Sequence, residues 1–108
     1  METKTKTKLP RGFKRKWATA LRSGRYTQGS HTLYDPKTKS YDPIGVAYRI
    51  CGVPTKRLSN RIAPIKDTVR FFPKAITEDN GLWDKLVDLN DNKKMSFRWM
   101  ASYIEDNL

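Results

Sequence analysis

The stretch DPIGVAYRICG, residues 42–52, carries a complete set of helix signals. Asp42 is a typical N-cap residue, Pro43 suits the first helical position, and Gly52 is typical of the residue that follows a helix end. Between them, a short and largely buried helix is predicted from the apolar residues Ile44, Val46, Ala47, Ile50 and Cys51. A chain of 108 residues suits one domain. We therefore expect this helix at the centre of a single core.

A β-hairpin is predicted directly before that helix. Residues 31–34 and 40–41 favour strands, and Asp35 followed by Pro36 presets a type I turn between them. Further upstream, residues 11–23 have apolar side chains three or four positions apart, which predicts an amphipathic helix that ends near Gly24. The inward stripe of this helix would be Phe13, Trp17, Ala20 and Leu21.

The C-terminal part predicts two more helices. The sequence TEDN at 77–80 supplies capping residues and negative charge for the first, and Ser96 caps the second. Between residues 53 and 75, three prolines interrupt every candidate element, so only a short helix around Leu58 and a strand at 68–72 are indicated. The fold class is thus α+β: a small, mostly helical domain with one short β-hairpin and a C-terminal helix pair. Its predicted core contains Phe13, Trp17, Leu21, Val46, Ile50, Leu82, Leu86, Phe97, Met100 and Ile104.

The charge of the chain is large and unevenly placed. The net charge is +11, and residues 1–76 hold 18 Lys and Arg against four acids, whereas residues 77–108 carry an acidic excess. The positive electrostatic field that results from this charge favours a polyanionic partner. Residues 1–10 offer nothing to bury and are expected to form a flexible basic arm before a globular domain at 11–108.

Three groups of side chains are the candidate contacts to nucleic acid. At 100° per residue, four cations of the first helix, and a fifth at Arg25 if the helix persists, fall within an arc of roughly 100° beside its apolar stripe. The arm and the hairpin tip add lysines, and two tyrosines of the hairpin arms could stack on bases. The predicted nucleic-acid-binding residues are Lys4, Lys6, Lys8, Arg11, Lys14, Arg15, Arg22, Arg25, Lys37, Lys39, Tyr34 and Tyr41.

Catalytic, metal and cofactor sites find little support in the sequence. A lone cysteine, Cys51, excludes an internal disulfide framework and a cysteine-based zinc site, which fits the reducing cytoplasm. A calcium loop starting at Asp88 fails because its sixth and twelfth positions are Lys93 and Trp99. No phosphate-binding glycine motif, membrane span or export signal is present. We expect no enzyme, no cofactor, no metal and no membrane partner.

Short motifs recur in a recognisable order at both ends of the chain: Trp17, Ala20-Leu21, Ser23-Gly24, Tyr26, Gln28-Gly29, Leu33, Gly45-Val46, Leu89-Asn90-Asp91, Ser96-Phe97 and Ile104-Glu105. In this order they resemble a group of small uncharacterised proteins of tailed bacteriophages and bacteria. Members of that group often carry a Cys pair before the Gly-Val, where this chain has Asp42-Pro43-Ile44. The resemblance implies that the protein is encoded by a phage and located in the cytoplasm of the host cell. It does not indicate an activity.

Two functional hypotheses follow. The first is a nucleic-acid-binding accessory protein, of DNA or RNA, that contacts phosphates through the arm, the first helix and the hairpin tip. The alternative is a phage-encoded modulator or inhibitor that binds an acidic surface of a host protein, such as a polymerase, a nuclease or a defence factor, because steering to a protein leaves the same composition. A ribosome-associated or virion structural role would also fit such a charge.

Overall fold

The chain forms six helices and three short strands in a computed structural model that describes residues 9–67, 69–78 and 80–108, with Asn80 described by its backbone alone. The elements in chain order are α1 (Arg11–Arg22), β1 (Thr27–Gln28), β2 (Tyr34–Asp35), β3 (Ser40–Tyr41), α2 (Pro43–Ile50), α3 (Thr55–Leu58), α4 (Lys74–Glu78), α5 (Asn80–Asp91) and α6 (Phe97–Asn107). The predicted α+β class, with a hairpin and a C-terminal helix pair, is confirmed. The predicted arm residues Lys4, Lys6 and Lys8 lie outside the described residues.

α2 occupies the centre of the core, as its sequence predicts. The Asp42 carboxylate accepts a hydrogen bond from the Gly45 N–H at 2.7 Å, which caps the helix, and Pro43 occupies the first turn. Residues 43–48 are all buried. Gly45 lies so close to the loop before β2 that a Cβ there would overlap the carbonyl oxygen of Leu33. A glycine is therefore required at this contact.

The small sheet contains the predicted hairpin and one strand that the sequence did not reveal. β2 and β3 are antiparallel, with Tyr34 opposite Tyr41 and Asp35 opposite Ser40. β1 joins the other edge of β3 in parallel, so the order is β1-β3-β2. Two residues are too few to show the alternating pattern of a strand, which is why β1 was not predicted.

α1 packs against both α6 and α2. The Leu9 N–H donates to the Leu108 carbonyl at 3.4 Å, which places the start of α1 beside the end of α6. The Trp17 indole N–H donates to the Pro43 carbonyl at 2.9 Å, and its side chain is fully buried. The last two helices are present as predicted, but α6 packs mainly on α1, while α5 packs on α2 and α4.

A polar contact fixes the loop between α5 and α6 to β1. The Gln28 amide donates to the Asn90 side chain at 2.8 Å and to the Met95 carbonyl at 2.6 Å, and its oxygen accepts from the Phe97 N–H at 2.9 Å. Asn90 in turn donates to the Gly29 carbonyl at 2.8 Å. The buried Asn90 amide is thereby satisfied, as a buried polar group requires.

Several local predictions need correction. Val69 to Phe72 form a turn instead of a strand, since Phe71 adopts a left-handed φ of 67°. Helical structure starts at Lys74, after Pro73, so Thr77 lies inside α4 and does not cap α5. Of the predicted core, Phe13 and Ile50 are only half-buried, and the other eight residues are buried. Among the described residues, no helix is long and apolar enough to cross a membrane.

Candidate functional site

A groove runs along one side of α1. Two cavities, of about 560 and 410 Å³, lie along this helix and share Lys16 and Ile50. We call their union the α1 groove. Its lining residues are Pro10, Gly12, Phe13, Arg15, Lys16, Thr19, Ala20, Ser23, Arg25, Tyr26, Ile50, Cys51 and Phe71.

The helical repeat places the groove residues of α1 together. Lys16 and Ala20 are four residues apart, as are Arg15, Thr19 and Ser23, so they share one side of the helix. The C-terminal end of α2, with Ile50 and Cys51, completes the wall. We call the half-buried apolar lining residues Phe13, Ala20, Ile50 and Cys51 the floor, and the exposed polar residues Arg15, Lys16, Thr19, Ser23 and Arg25 the rim.

The turn after α1 brings two more side chains to the rim. The Ser23 hydroxyl donates to the Ala20 carbonyl at 2.7 Å and accepts from the Arg25 N–H at 3.1 Å. Gly24 supplies the left-handed φ of 80° that reverses the chain. As a result, Arg25 and Tyr26 line the end of the groove.

The charge of the groove has a single sign. Arg15, Lys16 and Arg25 line it, and no acidic side chain does. All three are exposed, and none forms an ion pair with any acid in the described ranges. Because no acid of the described residues forms an ion pair with them, their field extends over the groove and attracts anions, although the charge of Arg15 also acts on Glu105.

The neighbouring side of α1, which packs on α6, has one cation paired with an acid. The Arg22 guanidinium lies 2.6 Å from the Glu105 carboxylate and 3.2 Å from the Ser102 hydroxyl of α6. The hydrogen bond to Arg22 lowers the pKa of Glu105, and the charges of Arg15 and Lys14 add to that effect. Lys14 is itself half-buried. This side of the helix is therefore held by α6.

The predicted basic arc of α1 differs from the surface that the structure leaves open. Trp17, Ala18 and Leu21 are the buried residues of α1, so its inward side is rotated by about 60° from the predicted stripe. Ala18 falls within the predicted basic arc, and Phe13 and Ala20 border the groove instead. Ala18 was the signal in the sequence that could have corrected the arc, because it is a small apolar residue among cations.

The predicted tyrosines pack against each other. The ring centroids of Tyr34 and Tyr41 are 4.8 Å apart, and those of Tyr41 and Tyr26 are 5.3 Å apart at nearly right angles. All three side chains are half-buried. Tyr26, which sequence reasoning did not single out, thus connects the α1 groove to the hairpin.

The remaining predicted cations are exposed. Arg11 is the first residue of α1. Lys37 and Lys39 lie at the hairpin tip, where the Asp35 carboxylate accepts from the Lys37 N–H at 2.9 Å and Lys39 has a φ of 56°. The Asp35 carboxylate offsets part of the charge of this tip, so the tip is a weaker anion site than the groove.

The only thiol lines the groove. Cys51 is half-buried instead of fully buried, and it directly follows the last residue of α2. Burial nevertheless raises the pKa of its thiol to about 11, with Lys16 opposing the shift. A thiol with this pKa is almost wholly protonated near neutral pH and is a poor nucleophile. In the described part of the chain, no three His, Cys, Asp or Glu side chains are placed to hold a metal ion.

Comparison with models of protein families, with curated proteins and with solved structures finds no match for this chain. The resemblance to small phage proteins therefore stays a prediction. The residues of the groove are the basis for any functional assignment.

Proposed function

We propose that this protein is a nucleic-acid-binding accessory protein and that the α1 groove is its main contact surface. The observation that carries the proposal is the lining of the groove, which contains Arg15, Lys16 and Arg25 and no acid. Three unpaired cations beside an apolar floor suit a ligand with phosphates on one side and flat bases on the other.

The sequence predicts further phosphate contacts in addition to the groove. The hairpin tip supplies Lys37 and Lys39, and the arm supplies Lys4, Lys6 and Lys8. Contacts of this kind to the phosphate backbone add affinity without sequence information. Arg22 contributes less in this proposal, because its guanidinium already pairs with Glu105.

The apolar floor of the groove favours a second candidate, a modulator that binds a host protein through an acidic surface. Phe13, Ala20 and Ile50 could contact apolar side chains of such a partner, while the cationic rim pairs with its acids. This candidate differs from the first in one measurable respect. A protein dedicated to a protein partner has only weak affinity for nucleic acid at physiological salt.

Fluorescence anisotropy with labelled single-stranded DNA, RNA and duplex DNA tests the proposal. We expect binding at about 0.15 M salt. The triple variant Arg15→Ala, Lys16→Ala, Arg25→Ala should lower the slope of log affinity against log salt by roughly 2 to 3, since each lost phosphate contact removes 0.7 to 0.9. A matched control removes three exposed cations away from the groove, Lys85, Lys93 and Arg98, and should change the slope much less. Absence of binding at this salt concentration would remove the nucleic-acid assignment and leave the protein partner.

A further inference from the structure

Phe71 is an exposed aromatic residue on an unfavourable backbone. Its side chain is 78 % exposed, and its φ is 67°. A bulky residue at positive φ is a genuine outlier, and an exposed ring gains little from burial. Both features oppose folding, so the fold alone does not explain a phenylalanine here.

Phe71 lies where its ring can contact a ligand bound in the α1 groove. Its ring lines one end of the α1 groove, next to Phe13 and Lys16. The Arg70 guanidinium lies over one face of the ring, 5.2 Å from its centroid, and the side chain nevertheless stays 78 % exposed. Tyr26 lines the other end of the groove, so an aromatic ring marks each end and cations lie between them.

We propose that the α1 groove binds single-stranded nucleic acid, with an unpaired base stacked on Phe71 and the phosphates along Arg15, Lys16 and Arg25. This inference rests on the proposed function and specifies its substrate class. In a duplex the base faces are covered by neighbouring pairs, whereas a single strand can place a base against an exposed ring. Single-stranded DNA and RNA share this chemistry.

The other exposed apolar side chains fit this role less well. Ile62 is 72 % exposed but has no aromatic face and does not line the groove. Trp99 is 39 % exposed, and its ring stacks on Tyr103 of α6 with centroids 5.4 Å apart. These two residues are therefore suitable controls.

The test compares Phe71→Ala with Ile62→Ala and Trp99→Leu by anisotropy. The probes are a labelled oligothymidylate, the corresponding oligouridylate and a DNA duplex of the same length. Phe71→Ala should weaken binding of the single strands about 5- to 150-fold, the range for loss of one stacked base. The salt slope should stay unchanged, because no charge is removed. The two control variants should bind like the wild-type protein, and Phe71→Trp should restore affinity, with Trp fluorescence quenched by the bound single strand.

Stability supplies a second readout that separates stacking from a structural role. Phe71→Gly relieves the positive φ, so its midpoint of urea unfolding should rise above that of Phe71→Ala while binding of single strands falls equally in both. If Phe71 had only a structural role, the more stable Phe71→Gly variant would also bind single strands more tightly than Phe71→Ala.

The outcomes distinguish the two proposals. If the groove triple variant loses affinity and Phe71→Ala does not, the groove binds nucleic acid but the stacking inference is wrong. Duplex binding as tight as single-strand binding, with no effect of Phe71→Ala, also overturns the inference. If the wild-type protein binds none of the probes at physiological salt, both proposals are wrong.

Discussion

The two sides of α1 carry similar positive charge but differ in what lies opposite. On one side, Arg22 pairs with Glu105, and Lys14 is half-buried beside the same acidic end of α6. On the other side, Lys16 of α1 and Arg25 of the turn after it line a groove with no acid in its lining. Arg15 lies between the two sides, since it lines the groove and its charge also acts on Glu105. A cation that is already paired has less attraction left for a ligand.

This difference teaches that a count of basic residues does not locate a binding surface. The packing partner of each side decides which charges remain available. α6 carries acids where it covers α1, and α2 offers Ile50 and Cys51 where it borders the groove. The groove side is therefore the functional side in our account, and the α6 side is structural.

Truncation of Trp17, which anchors α1 in the core, should have the largest effect on stability. Trp17 is fully buried, and its indole N–H donates to the Pro43 carbonyl. Trp17→Ala should lower the free energy of unfolding by about 3 to 5 kcal/mol and disrupt both sides of the helix together. Urea unfolding followed by circular dichroism measures this loss. Stability equal to wild type would show that Trp17 does not anchor α1.

The next largest effect is on the pH dependence of stability, and it comes from Asp42 at the start of α2, which packs against α1. Burial, with the nearby Asp91, raises the pKa of Asp42 to about 7, although the Gly45 N–H opposes the shift. Since this folded-state pKa exceeds the unfolded value of about 3.9, the folded protein binds more protons between those values, and stability falls as the pH rises from about 4 to about 7. The fall due to this group is at most about 4 kcal/mol.

Asp42→Asn isolates this contribution, because Asn also caps helices but carries no charge. Above pH 7, its urea midpoint should exceed that of the wild-type protein, and the difference should shrink as the pH falls towards 4. Asp42→Ala, which also loses the cap, should be less stable than Asp42→Asn at every pH. Equal pH dependence of the wild-type and Asn proteins would contradict the shifted pKa.

Two double variants compare the two sides of α1 directly, through a smaller change in the salt dependence of binding. The double variant Lys16→Ala, Arg25→Ala removes two unpaired cations and should lower the salt slope for a single strand by about 1.4. Arg22→Ala with Lys14→Ala removes two cations from the α6 side and should lower it by less than half as much. Equal reductions by the two double variants would remove the distinction between the sides.

The smallest effect is expected at Cys51. With a pKa of about 11, its thiol should react slowly with a disulfide reagent near neutral pH, and the rate should rise about tenfold per pH unit. Because Cys51 lines the groove, a saturating single strand should slow the reaction further. Absorbance of the released thiol reports the rate, and an unchanged rate with bound oligonucleotide would argue against occupancy of this end of the groove.

Much of the fold could be predicted because its signals are local. Asp42 with Pro43 and Ser96 mark helix starts through hydrogen bonds within a few residues. The hairpin likewise follows from Asp35-Pro36. These elements do not depend on distant parts of the chain.

The candidate site was predicted only in part, because its geometry depends on distant packing. The rotation of α1 is set by α6, about 80 residues away along the chain, as in the Arg22 to Ser102 contact. Arg15 and Arg25 were predicted, whereas Lys16 enters through that rotation and Tyr26 through the turn after α1. Phe71 was missed because its left-handed backbone follows from a turn between prolines and not from its own preference.

The measurement that tests the central claim most directly is a titration of the isotope-labelled protein with a single-stranded oligonucleotide, followed by amide chemical shifts. Our account predicts that the largest shifts occur along the α1 groove, at residues such as Lys16, Thr19, Ser23, Tyr26 and Cys51. The amides around Glu105 on α6 should change little. Shifts concentrated on α6, or no shifts at physiological salt, would contradict the assignment of the groove as the nucleic-acid-binding surface.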